Sequence, residues 1–197
     1  MLLCTVIKTN INYEKLLLVA AIAVLAVSNI NAQEIKFGVK GGLNLANVSG
    51  DNTKAFDPVT SFNLGLMSEI SITDKFSFQP ELMYSGQGYS FNSDNVVELS
   101  YLNIPLMAKY YVAKGLSIEA GPQIGYLFSA KNESVDVKDS FKKIDFGANV
   151  GLGYKLENGL NFGVRYNLGL SNINNISGSS DKYKNGVLQA SVGYFFF

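Results

Sequence analysis

The sequence predicts an all-β protein, an eight-stranded antiparallel up-and-down transmembrane β-barrel preceded by a cleavable signal peptide. Three observations carry this reading. Eight segments alternate apolar and polar residues with the two-residue period of a strand. Short turns and longer polar loops follow one another strictly between those segments, the asymmetry of a barrel with turns on one side of a membrane and loops on the other. The apolar phase of all eight segments carries no charge.

Residues 1–32 read as the signal peptide and 33–197 as the barrel domain. Lys8 and Lys15 precede an unbroken apolar run from Leu16 to Val27, and Ser28 to Ala32 is short and polar. The run is little more than half of the roughly 20 residues that a spanning helix needs. It has the form of a secretory leader cleaved after Ala32. The alternative, an N-terminal membrane anchor, meets the same objection of length. Cys4, the one cysteine, lies ahead of the run, so the exported chain has no thiol and no disulfide. Formal net charge is zero, which gives no basic surface for a nucleic acid.

The strands follow in order. Ile35, Phe37, Val39, Leu43 and Leu45 alternate with Lys36, Gly38, Lys40, Gly42 and Asn44, and a polar loop spans 49–60. Phe62, Leu64, Leu66, Ile70 and Ile72 form one face of the second strand, against Asn63, Gly65, Met67 and Glu69. After the turn at Thr73 to Lys75, Phe76, Phe78, Leu82 and Tyr84 alternate with Ser77, Gln79, Glu81 and Met83, and a loop spans 90–95. The next two strands are a hairpin: Leu102, Ile104, Leu106, Ala108, Tyr110 and Val112, then Leu116, Ile118, Ala120, Pro122, Ile124, Tyr126 and Phe128. Pairing across its turn at Ala113 to Gly115 sets Lys109 opposite Glu119 on the polar face. A charged loop, 131–143, has Phe141 as its one large apolar residue. Ile144, Phe146, Val150, Leu152 and Tyr154 lead through the turn at Glu157 to Gly159 into Leu160, Phe162, Val164, Tyr166 and Leu168. An Asn- and Ser-rich stretch, 171–186, reads as a flexible loop, and Leu188, Ala190, Val192, Tyr194 and Phe196 form the last strand.

The polar phase holds Lys36, Lys40, Glu69, Glu81, Lys109, Glu119, Asp145, Lys155 and Arg165. A basic residue turned to lipid at mid-depth costs roughly 2 to 4 kcal/mol, so in a membrane this phase lines the interior. Side-chain volume agrees. An eight-stranded interior is only wide enough to be filled by side chains, and Gly38, Gly65, Gly121, Gly147, Gly151 and Gly163 fall in the polar phase while the bulky aliphatics fall in the other. A soluble lipocalin-like carrier of apolar ligands would require the opposite sorting. Aromatics gather near strand ends, at Phe62, Tyr84, Tyr110, Tyr126, Tyr154 and Tyr194, where interface girdles lie. Pro80, Pro105 and Pro122 fall inside strands, where a missing donor predicts bulges or gaps in the ladder. Phe197 suits an aromatic C-terminus, while the alternation puts Phe196 on the lipid face.

Four segments carry a resemblance: KFGVKGGLNLANVSG (Lys36 to Gly50), FSFQPELMYSGQG (Phe76 to Gly88), YLNIPLMAKYYVAKGLSIEAGPQIGYLFSA (Tyr101 to Ala130) and DFGANVGLGYKLENGLNFGVRYNLGLSNI (Asp145 to Ile173). The chain resembles the outer-membrane β-barrel proteins of the Bacteroidetes lineage labelled PorT-like or porin-family. The resemblance implies an eight-stranded barrel in the bacterial outer membrane and little chemistry.

The residues exclude most catalysis. No histidine is present, which removes the usual general base and the commonest metal ligand. Without Cys4 no thiolate or Cys/His zinc site is left, so no enzyme activity and no cofactor is expected. The interior charges form either a compensated plug, since an unpaired buried charge is costly, or a narrow ion path. Asp51, Asp57, Glu133, Asp136 and Asp139 match no calcium-loop spacing and read as solvated. The functional expectation is a small monomeric barrel with a packed polar lumen, seated in outer-membrane lipid, structural or displaying loops 49–60, 90–95, 131–143 and 171–186 to an external partner. The alternative is a narrow porin-like channel.

Overall fold

The computed structural model describes residues 34–91 and 95–196. The expected signal peptide, the centre of the loop at 90–95 and Phe197 lie outside the described residues. Among the described residues there are ten strands: β1 (Ile35–Gly50), β2 (Phe56–Asp57), β3 (Val59–Ser71), β4 (Phe76–Phe91), β5 (Val96–Ala113), β6 (Leu116–Asn132), β7 (Val135–Asp136), β8 (Ile144–Lys155), β9 (Leu160–Gly169) and β10 (Tyr183–Phe195). β2 and β7 are two-residue pairings of loop segments onto β4 and β6. The other eight close an antiparallel barrel in the order β1, β3, β4, β5, β6, β8, β9, β10, with β10 pairing back onto β1. Closure leaves no strand edge unpaired, as a β-structure in hydrocarbon requires.

The short turns lie together at one end, the turn end, with the start of β1 and the end of β10. Gly115 (φ +77°) and Gly159 (φ +90°) sit in two of these turns, in the left-handed region that glycine enters without a Cβ penalty. The opposite, loop end is uneven. β4, β5 and β6 have 16, 18 and 17 residues, whereas β8 and β9 have 12 and 10, so the wall is tall on one side and low on the other.

The alternation sorts the side chains as their chemistry demands. Phe37, Leu43, Leu64, Leu66, Ile104, Ile118, Val150, Leu152, Val164 and Val192 point outward and are exposed, while Lys40, Glu69, Glu81, Lys109, Glu119 and Arg165 are buried in the lumen. This distribution is the reverse of a lipocalin-like carrier, whose cavity is apolar. Phe62 stacks on Tyr84 with ring centres 5.0 Å apart, and Tyr84 lies 5.9 Å from Phe128, giving a run of aromatic rings towards the loop end. Phe196 faces outward and Phe195 is buried.

Around the prolines the ladder is interrupted without a change of register. β3–β4 pairing skips Ser68 and Glu69 opposite Gln79 and Pro80. β4–β5 pairing skips Glu81 and Leu82 opposite Ile104 and Pro105. β5–β6 pairing skips Leu106 and Met107 opposite Gly121 and Pro122. Each proline is paired on its other side, so a missing donor opens one seam and not both. The register shifts of the β5–β6 seam fall elsewhere, at Ser100/Tyr101 and Tyr111/Ala113.

Two of the expected loops are shorter or more ordered than the sequence suggested. β1 continues through Gly50, β3 begins at Val59 and β10 begins at Tyr183. Beyond the membrane a strand keeps its ladder without an apolar outer face, so alternation fades before pairing ends. The segment 171–186, read as flexible, is tied down: Lys142 N–H donates to Ile173 O at 2.8 Å, Ile173 N–H to Tyr183 O at 2.8 Å, and Asn175 N–H to Ser140 O at 2.9 Å.

Candidate functional site

Among the described residues the lumen is where the fold gathers buried polar chemistry, and it is filled in three tiers. The tier near the turn end is ionic. Every lumen-facing residue of a strand is fixed in direction by the pleat, so β1, β3, β4, β5, β6, β8 and β9 each deliver charge to one axis. Glu81 is its hub. Arg165 grips Glu81 with both terminal nitrogens, Nη1 to Oε2 at 2.9 Å and Nη2 to Oε1 at 2.8 Å, the planar fork that suits a carboxylate. Lys40 Nζ lies 3.3 Å from Glu81 Oε1, and Gln79 Nε2 donates to the same oxygen at 2.7 Å. Arg165 Nη2 also reaches Glu119 Oε2 at 3.2 Å. Lys109 bridges Glu119 (3.1 Å) and Glu69 (3.3 Å), and Glu69 takes further hydrogen bonds from Tyr111 O–H (2.8 Å) and Lys155 Nζ (2.5 Å).

Seven of the nine expected lumen charges, Lys40, Glu69, Glu81, Lys109, Glu119, Lys155 and Arg165, therefore form one connected network. Lys109 and Glu119 are also direct cross-strand partners. Lys36 stands apart at the rim of the turn end, 3.1 Å from Glu34, with its side chain 30% exposed. Asp145 stands apart near the loop end, because it opens β8 where the chain enters from that side. It accepts hydrogen bonds from Ser171 Oγ (2.5 Å) and Asn185 Nδ2 (2.8 Å) and contacts no cation among the described residues.

Amides fill the middle. Asn44 Nδ2 donates to Ser85 Oγ at 3.0 Å and to Gly86 O at 2.8 Å, while Asn44 Oδ1 accepts from Asn63 at 2.7 Å and Gln189 at 3.2 Å. Asn167 donates to Asn149 and Asn149 to Gln123 across β9, β8 and β6. The small residues of the polar phase make room for these side chains. A Cβ at Gly153 would collide with Glu119 Oε1, and one at Gly125 would come within 2.6 Å of Asn103 Oδ1.

The third tier, at the loop end, is apolar, and the sequence reading missed it. Val48, Tyr89, Val97, Leu99, Tyr101, Leu127, Ala130, Phe141 and Ile173 form one buried cluster, with Phe56, Phe91, Val137 and Tyr183 packed against it. Phe56 stacks on Tyr89 at 4.4 Å and meets Phe91 edge-on at 4.6 Å. Phe141 and Ile173 come from the two loops beside the low wall of β8 and β9 and fold inward, joined by a bridge between Phe141 and Asn174. The signal was present: Leu99, Tyr101 and Leu127 lie on the inward phase, which nearer the turn end holds the charged residues, amides and glycines with only a few methionines among them.

No residue group of this lumen has the make-up of a metal centre: among the described residues there is no cluster of three or more His, Cys, Asp or Glu positioned to hold an ion. The network is arranged for mutual neutralisation, with each carboxylate facing at least two cations.

Comparison with known proteins bears on the architecture. A family model described as outer membrane protein beta-barrel domain matches residues 31–175. Neisserial surface protein A (NspA) is 16% identical, the match covering 81% of this chain and 97% of that one at a TM-score of 0.55. Ail, the attachment invasion locus protein of Yersinia pestis, is 13% identical over 83% of this chain and 99% of that one at a TM-score of 0.52. At such identities the two structures speak for the fold alone. No curated protein matches the chain in sequence. With a closed eight-stranded barrel, an outward apolar belt and a family model across most of its length, the chain belongs to the outer membrane protein β-barrel domain family, and its site is the bacterial outer membrane.

Proposed function

We propose that the protein is a small, monomeric outer-membrane barrel with a packed lumen, which acts structurally or by holding its loop-end surface out to an external partner, and not by passing solute. The observation that carries this is the ionic tier, in which Glu81, Glu119 and Glu69 are each gripped by two cations inside a barrel too narrow to spare the space. Moving an ion through it would require breaking buried pairs, each at a cost of about 3 to 5 kcal/mol. The loops are braced from within by Phe141 and Ile173. A surface that is already ordered loses less entropy when a partner binds.

No catalytic step belongs to this reading, since the chain has no histidine and its single cysteine lies in the leader. Export by the signal peptide, cleaved after Ala32, completes it, and the segments quoted above support a place among the PorT-like barrels of the Bacteroidetes. Planar-bilayer recordings on refolded protein test the proposal. Current at the bare-membrane level is expected; discrete conductance steps would replace the packed barrel with the narrow channel. The mass of the protein from outer membranes tests the leader, with Gln33 expected as first residue.

A further inference from the structure

Near the loop end of the β5–β6 seam, Ser100 faces Ser129 but Tyr101 faces Leu127, so Phe128 is the extra residue of a bulge. A bulge frees a backbone carbonyl from the ladder, and here Lys138 Nζ donates to Phe128 O at 2.8 Å. The same ammonium stands 6.0 Å from the centre of the Tyr126 ring. Tyr126 and Phe128 face outward, 44% and 43% exposed. Lys138 therefore leaves its loop and reaches down the outer wall, to the level of the aromatic rings that meet the membrane boundary. Leu127 N–H donates to Lys143 O at 2.8 Å, which brings the backbone of Lys143 alongside the bulge.

These lysines have no anion of their own. Among the described residues neither Lys138 nor Lys143 makes an ion pair. The nearby Asp136 carboxylate accepts the backbone N–H of Lys138. An ammonium has three donors, and the Phe128 carbonyl occupies one of them. Directly below, Ile144, Phe146 and Leu170 are exposed and apolar. An apolar wall with unpaired cations above it matches one kind of molecule in an outer membrane.

We propose that this corner, where β6 meets β8, binds an anionic lipid of the outer leaflet, one whose terminal phosphate carries net negative charge with no cation of its own. The acyl chains lie along Tyr126, Ile144 and Phe146, and the phosphate oxygens accept hydrogen bonds from Lys138 and Lys143. The apolar wall is what separates a lipid from free phosphate, which has nothing to bury there.

Native mass spectrometry of the folded protein, released from neutral detergent with phosphatidic acid or with phosphatidylcholine of the same chains, tests this. Wild type is expected to retain phosphatidic acid about five-fold better than phosphatidylcholine, the factor of one exposed ion pair at the upper end of its range. Lys138→Gln with Lys143→Gln removes the preference. Lys143→Gln alone, which leaves the bulge contact in place, lowers it, and Lys138→Arg keeps it, so a loss through misfolding is told apart by these two. Equal retention of both lipids by wild type, unchanged preference in a folded double variant, or displacement of phosphatidic acid by equimolar inorganic phosphate would each overturn the assignment.

Discussion

Glu81 joins Lys40, Gln79 and Arg165, so its removal leaves Lys40 with no carboxylate among the described residues and Arg165 with Glu119 alone. Glu81→Ala is expected to cost about 3 to 5 kcal/mol in urea unfolding of the refolded barrel, the penalty for breaking a buried pair from one side. Asp145→Asn should cost only about 1 kcal/mol in the same assay, because no cation depends on it and an amide can still accept from Ser171. Lys36→Ala, which loses one half-exposed pair with Glu34, should change the midpoint little. Which residues are charged and inward-facing was legible in the sequence, since a period of two is enough to assign phase. Who pairs with whom was legible only for Lys109 and Glu119, which share a hairpin. Arg165 and Glu81 are 84 positions apart, and their meeting depends on how the strands stagger around the barrel, which no local pattern encodes.

At the level of strands and loops, the outward face is a single apolar surface, and Leu66, near the middle of β3 and paired with Val39 and Leu82, tests it. Leu66→Arg is expected to destabilise the folded barrel in bilayers by roughly 2 to 4 kcal/mol, against little effect for a solvent-exposed loop position such as Lys54. The eight barrel strands could be read because hydrocarbon forbids charge on one face. Where strands rise above the membrane that constraint ends, so the true starts of β3 and β10 were not visible, nor was the part of the apolar inner tier that the loops supply. A lone Phe141 or Ile173 in a polar loop has no period and gives no signal until both are seen inside the barrel mouth. Phe141→Ala should cost about 3 kcal/mol, as for other buried aromatics. It should also raise the rate of protease cleavage between 131 and 143, read by peptide mass mapping, without unfolding the barrel.

For the whole molecule, the proposed packed barrel has its ionic and apolar tiers closing the lumen in series. Emptying the first with Lys40→Ala, Glu81→Ala and Arg165→Ala together is expected to leave the barrel silent in planar bilayers, because Leu99, Tyr101 and Leu127 still block the loop end. Conductance in that triple variant would mean that the ionic tier alone holds the barrel shut. Barrel closure, strand number and the gathering of the short turns at one end follow from the count of alternating segments and the rhythm of turns, and these the sequence displays. The packed or conducting state of the interior depends on how completely side chains fill it, which is a matter of volume in three dimensions.

The seam that completes the cylinder joins Gly38 to Phe195, while every other seam joins strands consecutive around the chain. Until that final strand docks, the nascent sheet presents two raw edges to lipid, where each unsatisfied peptide group costs several kcal/mol. A seven-stranded intermediate thus has no resting place in the bilayer. Insertion is therefore expected to be cooperative and timed by the docking of β10 onto β1, a contact of long sequence separation and so slow to form.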